Sequence, residues 1–123
     1  MRSLLRTVIL LALVLNAGVA LSSTIGGTIK DSEGAVIPKA KITVHRDSSD
    51  GGRESADVVI TSEKDGQFRL EVAPGFYDVF VSAPAFSPQC AKVRVKESEP
   101  ATYMPRLRAD PLVVKERGDT FSN

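Results

Sequence analysis

His45 is the only histidine in the chain, so any general-base chemistry at neutral pH would rest on it. Such chemistry needs a nucleophile or a second titrating group within hydrogen-bond reach. His45 lies in the alternating run KITVHR (41–46), which points Ile42 and Val44 one way and Thr43 and His45 the other. It is expected on a solvated strand face, without a catalytic role. Asp47, Asp50 and Glu54, with Gly51 and Gly52 between them, form the nearest thing to a cation loop. A hard cation needs several oxygens at a defined spacing, D-x-[DN]-x-[DN]-G. Ser49 and the displaced glycine break that spacing, so a plain solvated loop is expected. Cys90 is the single cysteine, which excludes an intramolecular disulfide; it is expected to be buried and inert, the alternative being a thiol free to pair with another chain. No catalytic constellation, cofactor site or metal site is expected.

The elements that must position these residues are strands. The chain is organised around Glu63 to Ala83 (EKDGQFRLEVAPGFYDVFVSA). Asp65-Gly66 is a turn signal. Phe68, Leu70 and Val72 then alternate with Gln67, Arg69 and Glu71, as in a half-buried strand. Ala73-Pro74-Gly75 is a second turn, and Tyr77, Val79 and Val81 alternate with Asp78, Phe80 and Ser82. The two runs read as a hairpin. Phe80, on the face opposite Val79 and Val81, is expected to be covered by the other sheet; the alternative is that it stands exposed beside Tyr103 as a patch for a partner or a glycan. Further strands are expected at 25–30, 41–46, 56–62, 91–96 and 102–108, the last confined to an edge by Pro105, with a short addition at 112–114. The polar run Asp47 to Ser55 is expected to be an exposed, mobile loop. Short strands separated by turn signals, with no helix among them, indicate an all-β, seven-stranded antiparallel β-sandwich.

Arg2 and Arg6, the apolar run Thr7 to Leu15 and the small residues Ala17, Gly18 and Ala20 have the layout of a secretory signal peptide. The expected division is therefore residues 1–20 as signal, 21–110 as one sandwich domain and 111–123 as a tail. The apolar run is short for a bilayer span, which takes about 20 residues. With 16 basic and 15 acidic residues interspersed, nothing points to nucleic acid or an anionic membrane surface.

Gly27-Thr28-Ile29-Lys30-Asp31 followed by Gly34, and Ile37-Pro38-Lys39-Ala40-Lys41-Ile42-Thr43-Val44, resemble the opening of carboxypeptidase regulatory-like domains, G-x-V-x-D-x-x-G then P-G-A-x-V-x-V. Thr61 with Asp65-Gly66-Gln67-Phe68, then Pro74-Gly75-Phe76-Tyr77-Asp78-Val79 and Ser82-Ala83-Pro84-Ala85-Phe86, resemble the rest of that pattern. Lys39 and Ala85 stand where the family more often has glycine. The resemblance covers Ile25 to about Arg108. It implies a transthyretin-like Greek-key sandwich, present here in a stand-alone secreted form, and it implies no reaction. Hydroxyisourate hydrolase shares that fold but uses several histidines and a C-terminal Tyr-Arg-Gly-Ser, and this chain ends Thr120-Phe121-Ser122-Asn123. An intramolecular isopeptide bond, as in some surface sandwiches, would need an acceptor for Lys30 or Lys41, and the expected mature chain holds only the terminal Asn123.

The expected function is a non-catalytic secreted, periplasmic or envelope-associated module that binds or supports another protein. A carbohydrate-binding module is the alternative; it would need Tyr77, Tyr103 and Phe80 exposed together. The candidate contact residues are Asp47, Asp50 and Arg53 in one loop, Phe86 in another, and Phe80 and Tyr103, with strand addition at the 102–108 edge a further route.

Overall fold

The computed structural model describes residues 22–52 and 54–112. The expected signal segment and most of the expected tail lie outside them, as does Arg53. Nine strands are present among the described residues: β1 (Ser23–Thr28), β2 (Lys30–Asp31), β3 (Lys41–Asp47), β4 (Val58–Thr61), β5 (Gln67–Val72), β6 (Gly75–Ser82), β7 (Gln89–Val95), β8 (Ala101–Thr102) and β9 (Arg106–Leu107). They form a β-sandwich. A three-stranded sheet has the order β5-β1-β8, a four-stranded sheet has the order β4-β3-β6-β7, and β2 and β9 form a separate two-stranded pair.

The inward rows meet in one core. Ile25 of β1 and Phe68 of β5 join Ile42 and Val44 of β3, Tyr77, Val79 and Val81 of β6, and Val95 of β7 in a single buried cluster. Register aligns these rows: Ile42 pairs with Val81 and Val44 with Val79, so buried aliphatic side chains stack side by side. Removal of such residues from water is the main favourable term in folding. The alternation seen in the sequence at 67–72 and 76–82 is the alternation of burial in β5 and β6.

Glu63 to Ala83 is not a hairpin. β5 pairs with β1 in one sheet, and β6 pairs with β3 and β7 in the other. The turn at 73–75 therefore carries the chain from one sheet to the other. Asp65-Gly66 likewise joins β4 to a strand of the opposite sheet. Crossing lets Phe68, Leu70 and Val72 face the row Tyr77, Val79 and Val81 across the core; a hairpin would set both rows on one face. Local periodicity is the same in both arrangements.

The sandwich is also not wholly antiparallel. β1 runs parallel to β8, and β2 parallel to β9. The expected strand at 102–108 is split by Pro105, whose carbonyl accepts from the Lys30 N–H at 3.1 Å. The facing strand breaks at the same level, where the Ile29 N–H turns aside to the Gly66 carbonyl at 2.9 Å. Of the short addition expected at 112–114, only Leu112 is described and it is helical with Pro111; 113 and 114 lie outside the described residues.

Two glycines permit close approaches. A Cβ on Gly27 would lie 1.7 Å from the Tyr103 carbonyl oxygen, so only glycine lets β1 pass that segment. Gly66 has φ +76°, and a Cβ there would meet the Ile29 oxygen at 2.8 Å. Lys39 and Ala85 adopt φ of 56° and 68°, the left-handed region that favours glycine.

Candidate interaction surface

Odd-numbered residues of β3 and even-numbered residues of β6 and β7 point away from the core. Register arranges them in rows across the outward face of the β4-β3-β6-β7 sheet. One row runs Val59, Thr43, Phe80, Cys90. Phe80 is 48% exposed and Val59 is 54% exposed, and Cys90 is exposed. The expectations that the other sheet covers Phe80 and that Cys90 is buried are both overturned. β7 begins at Gln89, which places Cys90 in register with Phe80 on the outer face, and no element of the described chain crosses that face.

Charged groups flank this apolar row. His45, Asp78 and Lys92 form the next row, and Asp57 joins it through its side chain. His45 Nδ1 lies 2.6 Å from Asp57 Oδ1. That hydrogen bond holds the imidazole pKa above its ordinary value, with Asp57, Asp78 and Asp47 adding Coulombic support. The His45 ring makes no other hydrogen bond among the described residues. Lys92 bonds the carboxylate of Asp47 and lies 3.4 Å from Asp78. The Lys92 bond, with the Ser49 N–H, holds the Asp47 carboxyl well below its ordinary range. Arg94 stacks over the Phe76 ring at 5.6 Å, beyond this row. On the other side of the apolar row stands Lys41, exposed and without a carboxylate partner among the described residues.

Of the expected contact residues, Asp47 and Phe80 share this face. Asp47 ends β3 and caps one turn of 3-10 helix at Ser48–Asp50, accepting from the Ser49 N–H at 2.9 Å. The start of the 47–55 run is thus an ordered turn rather than a free loop. Arg53 and the Asp50 side chain lie outside the description. Phe86 and Tyr103 go elsewhere. Both are partly buried against the core, and Tyr103 donates to Gln89 Oε1 at 3.3 Å. Partial burial raises the Tyr103 pKa, with a smaller contribution from Cys90. Tyr77 is 5% exposed, so Tyr77, Tyr103 and Phe80 do not form a shared aromatic platform. Among the described residues no group of three or more His, Cys, Asp or Glu side chains is placed to hold a metal ion, and no helix is long and apolar enough to cross a membrane.

Sequence reasoning passed over Arg46. It continues the inward row of Ile42 and Val44, so a cation points into the end of the sandwich. Its Nη1 donates to the Tyr77 hydroxyl at 3.2 Å, and that hydroxyl donates to the Ala73 carbonyl at 2.5 Å. The guanidinium lies 5.7 Å from the Tyr77 ring centroid. The signal was present: a charged residue at the inward phase of an apolar alternation.

Comparison with known proteins places this architecture. The family model for the carboxypeptidase regulatory-like domain matches residues 24–108. No curated protein sequence matches the chain. Among solved structures, 3-chlorocatechol 1,2-dioxygenase from Rhodococcus opacus 1CP superposes with a TM-score of 0.63 at 10% identity, over 77% of this chain and 62% of that one. Hydroxyquinol 1,2-dioxygenase from Pseudomonas putida DLL-E4 gives 0.61 at 10% identity, over 76% and 58%. The Bacillus anthracis TIE protein gives 0.57 at 14% identity, over 72% of this chain and 17% of that one. The chain thus spans less than two thirds of each of these proteins, and at such identities the likeness is one of fold alone. By the family match over most of its length, the chain belongs to the carboxypeptidase regulatory-like domain family.

Proposed function

We propose that this domain is a non-catalytic, exported module that binds another protein through the outward face of the β4-β3-β6-β7 sheet. One observation carries the reading: Phe80 and Val59 stand exposed in one row, on a sheet whose other face is packed. Exposed apolar clusters rimmed by polar groups mark contact sites more often than isolated exposed residues do. The rim favours one kind of partner. Asp57, Asp78 and Asp47 are engaged with His45 and Lys92, whereas Lys41 has no anionic partner among the described residues. The fitting occupant is a folded protein that seats an aliphatic or aromatic side chain on Phe80 and Val59 and sets a carboxylate against Lys41. A glycan is the weaker reading, because sugar rings stack on aromatic platforms and Phe80 is the one aromatic of the proposed three on this face.

The test is capture from cell-envelope extract with residues 21–123 as bait, beside the same bait carrying Phe80→Asp, followed by reconstitution with the purified captured protein. Binding by the parent that falls at least tenfold with Phe80→Asp, and less with Lys41→Glu, supports the reading. A captured protein that binds Phe80→Asp as well as the parent contradicts it.

A further inference from the structure

The outward face of the β4-β3-β6-β7 sheet carries a pattern that a second copy of the same face can match. Strand register sets the outward side chains in columns, one per strand, with the midline between β3 and β6. From the β4 side to the β7 side, the charged row reads Asp57, His45, Asp78, Lys92. The Asp57 hydrogen bond favours the protonated imidazole, and with that proton in place the signs alternate: minus, plus, minus, plus. Read from the other side, the same row is plus, minus, plus, minus. The apolar row reads Val59, Thr43, Phe80, Cys90, so the small Thr43 stands at the mirror position of the large Phe80.

A two-fold axis lying in the interface along this midline performs that reversal. It exchanges the β3 column with β6 and the β4 column with β7, and it keeps each row at its level. Asp57 then faces Lys92 of the second copy, and His45 faces Asp78 of the second copy, each contact occurring twice, as a two-fold interface requires. Phe80 faces Thr43, and Val59 faces Cys90. In the adjoining row Lys41 faces Ser82. No like charges meet in these three rows. Other placements fail on charge. Moving the axis onto β3 sets Asp57 against Asp78, and moving it onto β6 sets Asp78 against itself. An axis along the apolar row sets Lys41 over His45. Like charges brought together across an interface oppose association.

We propose that two copies of this chain close these faces on each other about the midline axis, the state the domain holds when no other protein occupies the face. This goes beyond the reading above and does not depend on it. Size sets the strength of the contact. Four strands about 4.8 Å apart, and the 7 residues of β3 at about 3.3 Å each, give a footprint of about 400 Å² per copy. That is small beside the roughly 800 Å² per partner of a standard interface. The dimer is therefore weak, with a dissociation constant between about 10 μM and 1 mM.

The test is sedimentation equilibrium of residues 21–123 under reducing conditions at about pH 6, where His45 is charged, from about 10 μM to 1 mM. The parent is expected to pass from monomer to dimer across that range. Lys92→Glu sets a carboxylate against Asp57 at both contacts, and Asp57→Lys sets a lysine against Lys92 at both. Both positions are exposed, and circular dichroism confirms that the variants fold. Each variant alone is expected to dimerise at least about tenfold more weakly, with two charge contacts reversed. Mixed in equal amounts, the two variants meet with opposite charges at both contacts, and the mixture is expected to dimerise at least about tenfold more tightly than either alone. A parent that stays monomeric at about 1 mM overturns the proposal, and this arm needs no variant. So does a mixture of folded variants that associates no better than each by itself. A dimer that oxidation locks through a Cys90–Cys90 disulfide also overturns it. Across the midline axis the two Cys90 columns stand three strand spacings apart, about 14 Å, whereas a disulfide needs Cα atoms within about 7 Å. A monomeric chain that still captures a protein through Phe80 refutes this proposal alone, and a dimer that captures nothing refutes the earlier reading alone.

Discussion

Lys39 and Ala85 hold left-handed backbone, with φ of 56° and 68°, at the two positions where the family pattern more often carries glycine. The native state should therefore gain from glycine at each. An L-residue in this region costs about 1–2 kcal/mol relative to the right-handed region. Glycine removes that cost but widens the unfolded ensemble, returning about 0.4–1 kcal/mol. The balance is a stabilisation of about 0.5–1 kcal/mol per site. For a domain of this size that raises the melting temperature by about 2–8 °C. The backbone bonds at both places survive the change: the Lys39 N–H donates to the Ser62 carbonyl at 3.0 Å, and the Ala85 carbonyl accepts from the Asp110 N–H at 2.8 Å. Calorimetric or circular-dichroism melts of Lys39→Gly and Ala85→Gly check this. Ala35→Gly is the control. Ala35 is exposed and lacks positive φ, so there glycine has only its cost, about 0.5–1 kcal/mol of destabilisation. If Ala85→Gly lowers the melting temperature as much as Ala35→Gly does, strain is not what separates these positions and the reasoning fails.

Ser62 is buried, accepts from the Ala40 N–H at 2.9 Å and donates to the Ile37 carbonyl at 2.8 Å; Ser62→Ala should cost about 1–3 kcal/mol in urea denaturation, the penalty for stranding buried polar groups. His45 should titrate above its ordinary value in an NMR pH series, and Asp57→Asn should bring it down, since the Asp57 hydrogen bond is the largest cause of the shift. Because the folded-state pKa is raised, the His45–Asp57 contribution to stability is fully present below the unfolded pKa and fades as pH rises through the folded one. The Asp47–Lys92 contact has the opposite sign: the carboxyl is depressed, so its contribution holds above the unfolded carboxylate pKa and is lost on acidification.

Alternation is a local property, and local properties were legible. Phe68, Leu70 and Val72, and then Tyr77, Val79 and Val81, declare their inward phase within a few residues, and both turns are written in Asp-Gly and Pro-Gly. Which sheet receives each strand is not local. β5 is claimed by β1 some forty residues upstream and β6 by β3, which is why the stretch reads as a hairpin but folds as a crossing. Phe80 and Cys90 were misplaced for a related reason. Their outward phase was readable for Phe80, but whether anything covers that phase depends on the remainder of the chain. Arg46 shows a different lapse. Its phase was inward by simple counting, and the charge alone made it look like a surface residue.

The outward sheet face is best tested by site-specific photocrosslinking in the intact exporting cell. A photoreactive residue is placed in turn at Val59, Phe80 and, as reference, Arg69, which is exposed on the opposite sheet. The account predicts that positions 59 and 80 crosslink to the same single protein and that position 69 does not. Crosslinks to that protein from 69 alone, or none from 59 and 80 while the domain is folded and exported, would contradict it.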